Sequence, residues 1–148
     1  MRELIIIATA LLLFGSKKKK MKPKEDSPKE NPQPKDQTGW ANFVFPQTMR
    51  NDTKGHGHYG ASRGSRSHRG VDLLVDKNQV IHAPFDGQIT RSLQVYSSDS
   101  KYRGFEIADV TGRIKVKVFY CLVDNSLIGQ QVHKGQQVAF AQAINEKY

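Results

Sequence analysis

Ile114-Lys115-Val116-Lys117-Val118-Phe119-Tyr120 decides the fold class. Its β-branched residues alternate with lysines, and a period of two marks a strand with one face in a core and one in water. Ile114, Val116 and Val118 are expected to point inward, Lys115 and Lys117 outward. Upstream, Phe105-Glu106-Ile107-Ala108-Asp109-Val110 alternates in the same way, and Val110-Thr111-Gly112-Arg113 between the two runs reads as a hairpin turn. Further out, Val71–Val75, Val80–Ala83 and Ile89–Val95 are short apolar runs stopped by Asp76-Lys77-Asn78, by Pro84 and by polar residues. Gln137–Ala141 reads as the last strand. No window carries a helical period. Short strands separated by turn residues predict an all-β fold, a small antiparallel sandwich or barrel.

That domain is one of three segments with different physics. The chain has 148 residues and a net charge of +9, which by itself points to an anionic partner. The charge is unevenly placed. Residues 17–38 hold eight lysines against four acids, and residues 39–148 hold 14 basic against nine acidic residues. Residues 17–38 also hold four of the six prolines, with Met21 as their one apolar side chain. Such a segment cannot bury enough surface to offset the entropy of ordering and is expected to be disordered. It reads as a solvated linker or as a polybasic arm. Residues 1–16 contain the apolar run Leu4–Phe14, the length of a signal-peptide core and short of the ~20 residues a spanning helix needs. No stable membrane span is expected. Secretion is the expectation, although Ala8-Thr9-Ala10 and Gly15-Ser16 are poor cleavage sites and Lys17–Lys20 oppose the usual charge bias. A short anchor or an imperfect N-terminus are the alternatives. The single Cys121 excludes an internal disulfide framework and any multi-cysteine zinc module. Its apolar neighbours favour a buried thiol over one that pairs between chains.

Chemistry is concentrated at Ser67-His68-Arg69-Gly70-Val71-Asp72. A His and an Asp four apart flank a glycine that permits a tight bend, so nitrogen and carboxylate can converge on one ion. Taken alone the pair fits a zinc ligand set or an ordinary His–Asp contact, and catalysis on zinc needs a third ligand and an open position. His56 and His58 lie among glycines and read as a polar loop. His82 and His133 are isolated. Arg63, Arg66 and Arg69 recur every third residue in a Gly/Ser loop, where they suit sulfates or phosphates or form a solvated rim. Aromatic residues are not interleaved with basic ones, so nucleic acid is not an expected partner.

An ordered set of segments carries a resemblance: Trp40-Ala41-Asn42, Tyr59–Arg63, His68–Leu74, Ala83–Ile89, Lys117–Tyr120 and His133-Lys134-Gly135. Over residues 39–143 the chain resembles the secreted chemotaxin branch of the M23 (lysostaphin-like) metallopeptidase family. The resemblance implies a β-rich M23-type domain over residues 39–148 with Zn2+ held by His68, Asp72 and a second His. That third ligand belongs to a His-x-His strand that would follow Tyr148, so the domain is expected to lack its C-terminal strands. The catalytic His of active M23 enzymes falls where this chain has Cys121 or Leu122. The resemblance also implies bridges at the positions of Val44 and Val75 and of Asn51 and His56, where neither partner is a cysteine here. A domain less stable than its disulfide-bonded relatives is then expected.

The resulting expectation is a secreted, non-catalytic signalling or binding protein with an incomplete zinc site. Its partner would be a cell-surface receptor or a glycosaminoglycan-like polyanion. The alternative is a zinc metallopeptidase acting on bacterial cell-wall peptides, represented here by a fragment.

Overall fold

A computed structural model describes residues 7–12, 39–53 and 55–144. The Lys/Pro-rich segment 17–38 lies outside them. In chain order the strands are β1 (Ile7–Leu12), β2 (Thr48–Met49), β3 (Asn51–Asp52), β4 (Gly55–His56), β5 (Ser62–Arg63), β6 (Arg66–Ser67) and β7 (Val71–Leu74). There follow β8 (Val80–His82), β9 (Gly87–Tyr96), β10 (Asp99–Asp109), β11 (Ile114–Phe119) and β12 (Cys121–Val123). A 3-10 turn at Asn125–Leu127 precedes β13 (Gln131–Val132) and β14 (Gln137–Ala141). Among the described residues the fold is all-β, and the only helical element is the turn at Asn125–Leu127.

One seven-stranded sheet runs β13-β9-β10-β11-β1-β7-β2, a three-stranded sheet runs β12-β14-β8, and β3-β4 and β5-β6 are two small hairpins. The ladders are antiparallel. The sheets stay open, so the barrel half of the sequence expectation gives way to packed sheets.

The inward residues of both sheets form the core. Phe105, Ile107, Val116, Val118, Ile89, Ile81 and Val138 are all buried in one cluster. Lys115 and Lys117 are half-buried and not fully in water, because they lie on a second face that the chain also partly covers. The β10–β11 turn is pinned by Asp109. Its carboxylate accepts hydrogen bonds from the Thr111 hydroxyl (2.5 Å) and the Ile114 amide (2.9 Å). Val110 falls in this turn, 72% exposed, where the Val110–Arg113 turn reading placed it and one residue past the strand end at Asp109.

Two features were not expected. Ile7–Leu12, inside the signal-like run, is an internal strand that pairs with β11 on one side and β7 on the other. Gly55–His56 is a strand despite its glycines, because Asn51 and His56 stand opposite each other in the β3–β4 hairpin. That register brings together the two positions where the resemblance implied a short bridge. Val44 and Val75, the positions of the other implied bridge, are buried in the same core cluster.

Candidate functional site

The backbone around Asp72 is stitched to two other segments before any side chain is considered. The Asp72 amide donates to the Gly57 carbonyl (2.8 Å), the Gly57 amide to the Arg50 carbonyl (2.8 Å), and the Arg50 amide to the Asp72 carbonyl (2.9 Å). A Cβ on Gly57 would lie 2.6 Å from the Asp72 carbonyl oxygen, so only glycine allows this approach. The β5–β6 hairpin is continued by the His68 amide, which donates to the Ala61 carbonyl (2.8 Å). This sets His68 at the entrance of β7.

The side chains of His68 and Asp72 meet as their spacing suggested. His68 Nε2 is 3.1 Å from Asp72 Oδ1. Oδ1 has no hydrogen-bond partner among the described residues, so the contact is close without being hydrogen-bond aligned. His68 Nδ1 is 3.1 Å from the backbone carbonyl of His58. Nδ1 is also 3.4 Å from Arg63 Nη2, so its two neighbours favour opposite tautomers: a proton on Nδ1 satisfies the His58 carbonyl and leaves Nε2 bare towards Oδ1, whereas accepting from Arg63 puts the proton on Nε2. In the first tautomer two donors converge as ligands of Zn2+ would.

The rest of the donor set departs from a zinc centre. Among the described residues no three His, Cys, Asp or Glu side chains come together to hold a metal. Oδ2 of the same carboxylate accepts a hydrogen bond from Arg63 (2.9 Å), and a second guanidinium, Arg50, stands 3.4 Å away. The Asp72 and Arg50 side chains are almost fully buried, 4% and 8% exposed. Unit charges 4 Å apart interact by about 4 kcal/mol at the effective dielectric of a protein surface, so two guanidiniums weigh heavily against a divalent cation on the same carboxylate. The neighbourhood reads as a buried acid neutralised by arginines.

The remaining site residues are dispersed. Arg63 turns inward to Asp72, while Arg66 and Arg69 are exposed, so the three arginines do not form one track. The His56 and His58 rings lie 5.6 Å apart. His82 stacks edge-on against Phe45 at 5.3 Å. The side chain of His133 is 90% exposed, 3.8 Å from Asp86. Cys121 is buried, its thiol 3.7 Å from the Val118 carbonyl, and burial pushes its pKa far up, which makes it unreactive.

Two polar residues escaped the sequence reading. Arg50 was one, since nothing local marks it as the partner of a residue 22 positions away. Glu106 was the other. It is buried at the register shift between β9 and β10, where Thr90 donates to Oε1 (2.9 Å) and Arg91 to Oε2 (3.0 Å). Burial acts to raise its pKa, but the bonds from Arg91 and Thr90 outweigh it and hold the carboxyl below its usual value. Acid side chains in a β-alternation carry no sequence signal of which face they take when both faces are covered.

No family model matches the chain. Over 86 residues it is 33% identical to leukocyte cell-derived chemotaxin-2 of Mus musculus, a stretch amounting to 55% of this chain and 56% of that protein. The chain thus spans about half the length of this curated relative. The likeness is of chemotaxin type. Among the described residues no helix is long and apolar enough to cross a membrane.

Proposed function

We propose that this chain is a secreted, non-catalytic signalling or binding protein of the chemotaxin type, built on an M23 (lysostaphin-like) domain with an incomplete zinc site. The observation that carries this reading is the occupation of the Asp72 carboxylate by Arg63 and Arg50. It removes the charge that a divalent ion would need. The similarity to a chemotaxin supports the same reading, as does Cys121 or Leu122 where an active enzyme of the family would place its base.

A second reading, an M23 zinc metallopeptidase acting on cell-wall peptides, is favoured by one observation alone, the convergence of His68 Nε2 and Asp72 Oδ1. In that case His68 and Asp72 would hold the ion, which would polarise a carbonyl and activate water. The two readings separate cleanly. After dialysis against zinc-free buffer, the first expects less than about one-tenth equivalent of zinc and no cleavage of glycine-rich peptides or wall fragments. Stoichiometric zinc together with turnover would establish the second. The partner suited to the first reading is a receptor surface or a sulfated polysaccharide, which Arg66, Arg69 and the lysines of residues 17–38 would meet.

A further inference from the structure

β1 is the one strand of the large sheet that comes from far outside the sequence of the domain, yet it lies in the interior of that sheet. It pairs with β11 through five residues, Ala8↔Val118 to Leu12↔Ile114, and with β7 through Ile7↔Asp72 and Ala8↔Val71. Because β1 is antiparallel to both, β7 and β11 run parallel to each other, about 9.5 Å apart at twice the usual strand spacing. Without a strand between them, the facing amides and carbonyls of both would be unpaired in mid-sheet, which is the geometry that captures an extended peptide.

The register defines what the gap accepts. Positions 8, 10 and 12 stand opposite Val118, Val116 and Ile114, and the first two of these partners are fully buried. Positions 9 and 11 stand opposite Lys117 and Lys115. On its other side Lys117 is the register partner of Glu106, whose carboxylate oxygens are already taken by Thr90 and Arg91. The chain's own strand supplies Thr9 and Leu11 at these two positions, neither of which carries a charge to match the lysines.

We propose that the gap between β7 and β11 is a strand-acceptor site for an extended peptide that alternates small apolar with acidic residues, and that Ile7–Leu12 is its exchangeable resident. The site does not depend on zinc or on the chemotaxin reading. Opposite charges facing each other across antiparallel strands stabilise the pairing, so a peptide with acids at positions 9 and 11 displaces the resident strand.

The test uses the full chain with a protease recognition sequence substituted into residues 27–33, cut after folding. The probes are synthetic peptides of residues 4–20, whose own Lys17–Lys20 keep them soluble. After cutting, the N-terminal fragment is expected to co-elute with the domain until excess peptide displaces it. A labelled peptide should saturate at one per domain. The Thr9→Glu/Leu11→Glu peptide should bind about two- to thirty-fold tighter than the native sequence, and the Ala10→Asp peptide, opposite buried Val116, at least ten-fold weaker. Equal binding of all three peptides would reduce the effect to unspecific apolar adsorption and overturn the proposal. So would loss of the fragment on cutting while those amides of β7 and β11 that face β1, Val71 among them, keep the hydrogen-exchange protection of the intact chain.

Discussion

Asp72 concentrates what single residues decide in this molecule. Its carboxylate balances two guanidiniums in a place that water barely reaches, and removing one partner of a buried ion cluster typically costs ~3–5 kcal/mol. Asp72→Ala is therefore expected to lower Tm by on the order of 15 °C, measured by calorimetry, with Asp72→Asn intermediate. His82 sets a second residue-level behaviour. Burial lowers its pKa, with a Phe43 backbone hydrogen bond working against that shift. The unfolded imidazole takes up its proton near pH ~6.5 and the folded one only at lower pH, so the unfolded state binds more protons as the solution is acidified. The contribution is complete above that value and is lost as pH falls below it. Urea midpoints should drop between pH 7.5 and 5.5, and His82→Gln should flatten that part of the profile. At this scale the sequence showed half of the candidate site. The four-residue spacing across Gly70 was enough to pair His68 with Asp72, because both sit at one hairpin exit. Arg50 was invisible, since its approach depends on a ladder between distant segments.

Elements were easier to read where one face is wet, and harder where both are covered. β11 and the β10–β11 turn follow from alternation and from the turn residues of Val110–Arg113, whereas the pinning by Asp109 shows only in the structure. The two-residue strands β2 to β6 have no period to detect; their pairing comes from the hairpins and from Gly57. The change of sheet between β11 and β12 rests on Tyr120, which has a left-handed backbone with φ of 59°. That kink lets the chain leave the large sheet at Phe119 and enter the small one at Cys121. The Tyr120 hydroxyl is 2.7 Å from that of Tyr96, and its ring packs with Tyr102 and Ile144 in a satellite cluster. Truncating a buried aromatic costs about 3–5 kcal/mol, while a left-handed non-glycine residue costs roughly 1–2 kcal/mol. Tyr120→Ala and Tyr120→Gly should both be destabilised in urea unfolding, but Gly should be the better tolerated by about 1 kcal/mol. The opposite order would hold in an ordinary strand, where glycine is the worse residue. Tyr120→Phe should lose only about 1 kcal/mol.

For the whole molecule, charge and connectivity matter more than any single contact. The basic excess divides between residues 17–38 and the domain, and within the domain Arg50 and Arg63 are already engaged by Asp72. Deleting residues 17–38 is therefore expected to lower the salt needed to elute the protein from heparin far more than Arg66→Ser/Arg69→Ser does; the reverse ranking would place the polyanion surface on the domain. Composition revealed this partition directly. Sheet order it did not reveal, because order depends on pairings between remote strands. The run Leu4–Phe14 is long enough for a signal core or for a strand, and it lacks the alternation that separates the two. The position of β1 has a consequence in time as well as in space. Ala8 pairs with Val118, 110 residues later in the chain, so at ~5–20 residues per second the ribosome exposes the first strand for on the order of ten seconds before β11 has been made. Closure of the large sheet therefore cannot precede synthesis of β11, and until then β1 has at most its β7 edge to pair with.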